Sequence, residues 1–132
     1  MRIFRLLAIA ILVIGILEDP AVAQTSIAEQ QDAQVIESLK QGGADLSKVH
    51  DIDFFLMFAS ESDASSAASE LAQIGYDVVA IEVSPDRTQW QVHAKRKMIP
   101  ALDAMVAITR SFEALAQSHG GYYDGWGTEA VK

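Results

Sequence analysis

From Asp51 to Phe58 the chain reads Asp-Ile-Asp-Phe-Phe-Leu-Met-Phe, a run of bulky β-formers closed by Ser60 and Asp63. A short apolar run with these residue types and boundaries predicts a strand rather than a helix. Because side chains alternate along a strand, Ile52, Phe54, Leu56 and Phe58 point one way, and Asp53, Phe55 and Met57 the other. The first face is wholly apolar and belongs under helices. The second, apolar with an acid at one end, suits a half-open face kept for a partner.

The neighbouring pattern supplies the elements around this strand. Thr25 to Gln41 predicts a helix opened by the capping box Ser26/Glu29 and ended by Gly42-Gly43, with a thin stripe of Ala28, Val35, Ile36 and Leu39. So thin a stripe predicts a helix packed at the edge of the domain or partly mobile. A second capping box, Ser60/Asp63, opens a helix whose Ala64, Ala67, Ala68, Leu71 and Ala72 share a face and which stops at Gly75. Tyr76 to Val83 predicts a strand with Val79, Ile81 and Val83 on one face and Val78, Ala80 and Glu82 on the other. Ser84-Pro85-Asp86-Arg87 is a turn, and in the strand Gln89 to Lys95 the residues Trp90, Val92 and Ala94 face inward while Gln91, His93 and Lys95 face outward. Pro100 opens the longest helix, striped by Leu102, Met105, Ile108, Phe112, Leu115 and His119 and broken at Gly120-Gly121. Tyr122 to Thr128 closes the chain as a short edge strand with local bends.

After the first helix the order is strand, helix, strand, strand, helix, strand. That order predicts an α+β, ferredoxin-like βαββαβ sandwich: a four-stranded antiparallel sheet, two helices on one face, and an extra N-terminal helix. The first and third strands are then central neighbours, so Phe55 and Met57 lie beside Gln91, His93 and Lys95.

The N-terminus carries a different signal. Arg2 and Arg5 precede an apolar run from Leu6 to Leu17, and Ala21-Val22-Ala23 supplies small residues at a cleavage site. These are the three parts of a secretory signal peptide, and the run is too short for a span of about 20 residues. Residues 1–23 are read as the leader, 24–43 as the N-terminal helix and 44–132 as the domain, with the mature chain beginning at Gln24 in the periplasm or outside the cell. The rest holds no membrane span.

The leader removes two charges of each sign, so the net charge of −8 is unchanged. Such an acidic chain argues against nucleic-acid binding, which depends on Lys and Arg neutralising phosphates. There is no cysteine, hence no disulfide and no thiolate metal site. His50, His93 and His119 fall on a loop, a strand and a helix end without ligand spacing, and no metal or cofactor is expected. Asp51 and Asp53 share a strand face but nothing near them in sequence suggests an acid–base pair, and Lys95-Arg96-Lys97 suits a solvated edge that discourages strand pairing.

The run Asp51 to Phe58, the helix ending Ile74-Gly75-Tyr76, the segment from Trp90 through Met98-Ile99-Pro100 and above all Gly120-Gly-Tyr-Tyr-Asp-Gly-Trp-Gly-Thr128 resemble the regulator of ribonuclease activity B family. The likeness covers about Gln30 to Glu129. It implies a ferredoxin-like domain that is not an enzyme and that acts by protein contact, as the characterised member does by binding ribonuclease E and restraining its action on RNA. Two features depart from that member: the leader directs this chain away from the cytoplasm, where ribonuclease E works, and the sequence stops at Lys132 without a long acidic tail.

Partner contact has two candidate locations. One is the open sheet face with Phe55, Met57 and His93, which equally suits a homodimer seam unless another segment folds over it. The other is the closing motif with Tyr123, Asp124 and Trp126. Trp126 there is either a binding anchor or a cap on the core, and a terminal strand's need for large side chains favours the cap. The competing reading of the scaffold is a small ligand-binding or oxygenase-like enzyme of the cell envelope. It requires a cavity between sheet and helices, for which the alanine face of the second helix leaves little room.

Overall fold

The computed structural model describes residues 26–132. Its elements run α1 (Ile27–Gln41), β1 (His50–Phe58), α2 (Glu61–Gln73), β2 (Asp77–Val83), β3 (Trp90–Met98), α3 (Leu102–Ser118) and β4 (Tyr122–Gly127). The four strands form one antiparallel sheet in the order β2-β3-β1-β4, which is the ferredoxin-like arrangement with an additional N-terminal helix. The predicted leader lies outside the described residues. Among those residues no helix is long and apolar enough to cross a membrane.

The helices begin and end where backbone chemistry dictates. Ser26 and Ser60 each accept a hydrogen bond from the backbone N–H three residues on, filling orphan donors of the first turn. All three helices close the same way. At α2 the N–H of Tyr76 returns to Leu71 O and that of Gly75 to Ala72 O, with Gly75 at φ 96°. Gly43 and Gly120 repeat the device at α1 and α3, at φ 86° and 74°. A left-handed residue is needed there, and glycine adopts it without Cβ strain.

Ile52, Phe54, Leu56 and Phe58 are buried under the helices, as the alternation predicts. Each contributes about 2 kcal/mol of apolar burial. Above them Ala64, Ala67 and Ala68 let α2 approach closely, and Phe54, Tyr76 and Phe112 meet edge to face at centroid distances of 5.0–5.4 Å. This aromatic group packs in the layer between sheet and helices.

Three expectations require correction. A bulge between Val78 and Ala80 breaks the alternation of β2, so Val78 joins Ile81 against the core while Ala80 and Glu82 lie on the open face. The stripe of α3 is rotated: Met105, Thr109, Phe112 and Ala116 are buried, and Leu102 is 46% exposed. Thr109 was not in the expected stripe because its hydroxyl is held by a carboxylate from another helix, described below. Met57 is the third, and belongs with the site.

The helix α1 does not fold over the open face. It packs on the helical side against α3 and β4. Its inward row is Glu29, Asp32, Ile36 and Leu39, half carboxylate and half apolar, which is why its apolar stripe is thin. Arg110 of α3 takes Glu29 in two hydrogen bonds of 2.9 and 3.1 Å. Asp32 accepts from Thr109 Oγ1 at 3.0 Å and from Trp126 Nε1 at 2.8 Å.

Candidate functional site

The face of the sheet opposite the helices is built by the alternate residues of each strand. In register, Asp53 sits beside Lys95, Phe55 beside His93 and Met57 beside Gln91. On the other side of β1, Asp53 faces Gly127, Phe55 faces Gly125 and Met57 faces Tyr122. Among the described residues no helix or loop packs over the middle of this face.

Phe55 is half-buried and its ring stacks on His93, centroids 4.8 Å apart and planes 25° apart. His93 Nε2 lies 2.6 Å from Asp53 Oδ1, and Lys95 Nζ reaches the same oxygen at 3.1 Å and Asp51 Oδ2 at 3.3 Å. Burial pushes the Asp53 carboxyl up, but the hydrogen bonds from His93 and Lys95 outweigh it and hold the group below the ordinary carboxylate value. The Lys95 ammonium is held above its ordinary value, chiefly by its bond to Asp53. The result is a charged cluster around one aromatic pair in the centre of the sheet face.

Met57 is buried at 7% exposure, where an exposed patch residue was expected. Its strand neighbours Gln91 and Tyr122 flank it, and Tyr122 Oη reaches Gln89 Oε1 at 3.4 Å across the end of β1. Tyr122 itself is 47% exposed and takes the place on this face that the sequence assigned to Met57.

The closing motif divides between the two faces. Tyr123 and Trp126 point to the helical side and are buried at 8% and 7% exposure, so neither shares a surface with Phe55 and His93. Trp126 caps the core and donates its indole N–H to Asp32. Burial and the nearby Asp32 carboxylate push the Tyr123 phenol above its ordinary range. Asp124 is exposed at the bulge where the β1–β4 register shifts, and Gly125 there adopts φ 107°. Gly121 is needed for closeness: a Cβ on it would lie 2.1 Å from Met57 O and 2.5 Å from Phe58 Cδ1. Gly120, Gly121, Tyr123, Gly125 and Trp126 of this motif therefore have structural tasks in joining α3 and β4 to β1.

The model of the regulator of ribonuclease activity B family matches residues 29–128. The chain belongs to that family. The match begins in α1 and runs through β4, so it takes in the extra helix and the carboxylates that dock it as well as the βαββαβ unit. Among curated proteins none matches the chain. Regulator of ribonuclease activity B names a regulatory role.

The three histidines lie apart, His50 opening β1 rather than sitting in the loop before it. His50 is buried, its Nδ1 2.9 Å from Lys48 O and its Nε2 accepting the Val131 N–H at 3.1 Å. His119 caps α3 and its Nε2 lies 2.5 Å from Glu70 of α2. Among the described residues no group of three His, Asp or Glu side chains could hold a metal ion. The roles of Gly125 and Gly127 on the open face were missed in the sequence, although their alternation opposite an Asp-x-Phe pair was the signal available.

Proposed function

We propose that this member of the regulator of ribonuclease activity B family is an exported, non-catalytic module that regulates another protein by contact through the open sheet face. The observation that carries this reading is the partly buried Phe55, stacked on His93 in the middle of a sheet face that α1 leaves uncovered. An aromatic side chain ringed by charged groups at the centre of an uncovered face is the usual composition of a contact centre. The aromatic packing in the layer between sheet and helices supports a contact role over one that needs an internal substrate cavity. The family supports a protein as partner, with ribonuclease E as the first to test. The sequence of residues 1–23 supports export.

Cleavage of RNA by purified ribonuclease E, measured with the protein in excess, tests the regulatory reading. Slowed cleavage that is restored by Phe55→Ser, with the melting temperature of the variant unchanged, is the expected result. Cleavage indifferent to the protein at high excess contradicts it. Fractionation of cells tests export separately: a chain beginning at Gln24 outside the cytoplasm is expected, and an uncleaved chain in the cytosol overturns that part.

A further inference from the structure

On the side of Phe55 away from His93, the two β4 positions paired with Phe55 and Asp53 carry no side chains. The strand neighbours of Phe55 and Asp53 in β4 are Gly125 and Gly127, and a Cβ at either would meet nothing within 4 Å. The side of Phe55 turned toward β4 therefore borders a trough floored by backbone. The trough opens at its end into a cleft of about 320 Å³, lined by Asp51, Asp53, Lys95 and the chain from Thr128 to Val131. Asp53 spends only Oδ1 on His93 and Lys95, and its Oδ2 takes no hydrogen bond among the described residues. Glu129, which also lines the cleft, is exposed.

An occupant of this trough must be narrow, must gain from lying beside an aromatic ring, and must complement an excess of carboxylate on a chain of net charge −8. A guanidinium meets all three conditions, because it is planar, stacks on aromatic rings and takes carboxylates through paired N–H donors. A lysine ammonium meets the charge condition alone, and Lys95 already supplies one. Resting on the reading of this face as the partner contact, we infer that the trough receives an arginine side chain of the partner, which lies along Phe55 and bonds Asp51 and Asp53. The partner is thus a basic, arginine-bearing protein segment.

Fluorescence anisotropy of labelled peptides with the full chain tests this. The peptides share one length and one backbone sequence and carry arginine, lysine or glutamate at the same positions. The arginine peptide is expected to bind at least about tenfold tighter than the lysine peptide, with the glutamate peptide showing no binding. D51N/D53N is expected to weaken the arginine peptide about tenfold. Gly127→Val, which fills the trough with a strand-favouring residue and leaves every charge in place, is expected to do the same. If the double variant does not fold, Asp51→Asn alone and Gly127→Val carry the test. Equal binding of arginine and glutamate peptides overturns the inference, as do tighter binding of a single-stranded RNA of similar length and full binding by the Gly127→Val protein. The outcome is separable from that of the contact face itself. Inhibition of ribonuclease E that Phe55→Ser abolishes but D51N/D53N and excess arginine peptide leave intact refutes the arginine assignment alone. Inhibition untouched by Phe55→Ser refutes the face.

Discussion

Removing the carboxylate of Asp32 should separate the cost of an unsatisfied donor from the cost of a buried charge. Asp32 is 2% exposed and accepts both the Trp126 indole N–H and the Thr109 hydroxyl on Oδ1. Asp32→Ala strands both donors in the core, at about 1–3 kcal/mol each, for an expected loss of about 3 kcal/mol. That corresponds to a fall of about 12 °C in melting temperature, at roughly 4 °C per kcal/mol for a domain of this size. Asp32→Asn keeps the acceptor oxygen and removes the charge, so its stability at pH 7 should stay within about 1 kcal/mol of the parent. The two variants should also differ in pH response. Burial raises the Asp32 carboxyl above its ordinary value of 3.8, more than the Thr109 and Trp126 bonds lower it. A raised value in the folded state means that folding holds the proton, so this stability is full below pH 3.8 and is lost as the pH rises through the folded value. The parent should therefore lose stability relative to Asp32→Asn on going from pH 3.5 to about pH 7. Thermal unfolding followed by circular dichroism across that range measures both effects. Equal stability of the Ala and Asn variants, or a parent that gains on Asp32→Asn as the pH rises, would refute the reasoning.

Other substitutions probe the joints of the fold. Gly121→Ala places a methyl group against Met57 O and the Phe58 ring and should cost about 3 kcal/mol, read as a lower denaturant midpoint. Gly75→Ala meets no atom within 4 Å but must hold φ 96°, so its cost should be only about 1 kcal/mol; a larger loss would mean that crowding rather than backbone strain governs the site. His50→Ala removes the acceptor of the Val131 N–H and should speed carboxypeptidase digestion of the residues after Thr128, although Asp45 N–H still bonds Val131 O at 2.7 Å. Digestion at the parent rate would show that the Asp45 bond suffices.

Regular periodicity made most of this fold legible before the structure. The strand around Phe55, the alanine face of α2, the outward His93 and Lys95, and the glycine stops of all three helices follow from alternation, helical spacing and backbone sterics. What escaped the sequence depends on geometry that a single chain segment does not carry. The bulge at Val79 inverted the faces of the first half of β2. Asp32 and Thr109 look like exposed polar residues until α1, α3 and β4 bring them together around the Trp126 indole. Met57 is buried rather than exposed because Gln91 and Tyr122 flank the end of β1 from both sides. The glycines of β4 could be read as bends, but their value as a bare trough beside Phe55 required the β1–β4 register.

The contact surface is best located by amide chemical-shift mapping of the labelled protein as ribonuclease E is added. Changes centred on Phe55, His93, Gly125 and Gly127, with the outer faces of α1 and α3 unmoved, are what the open-face account predicts. Changes centred on Arg110 and Glu113 of α3 with Phe55 unmoved would contradict it.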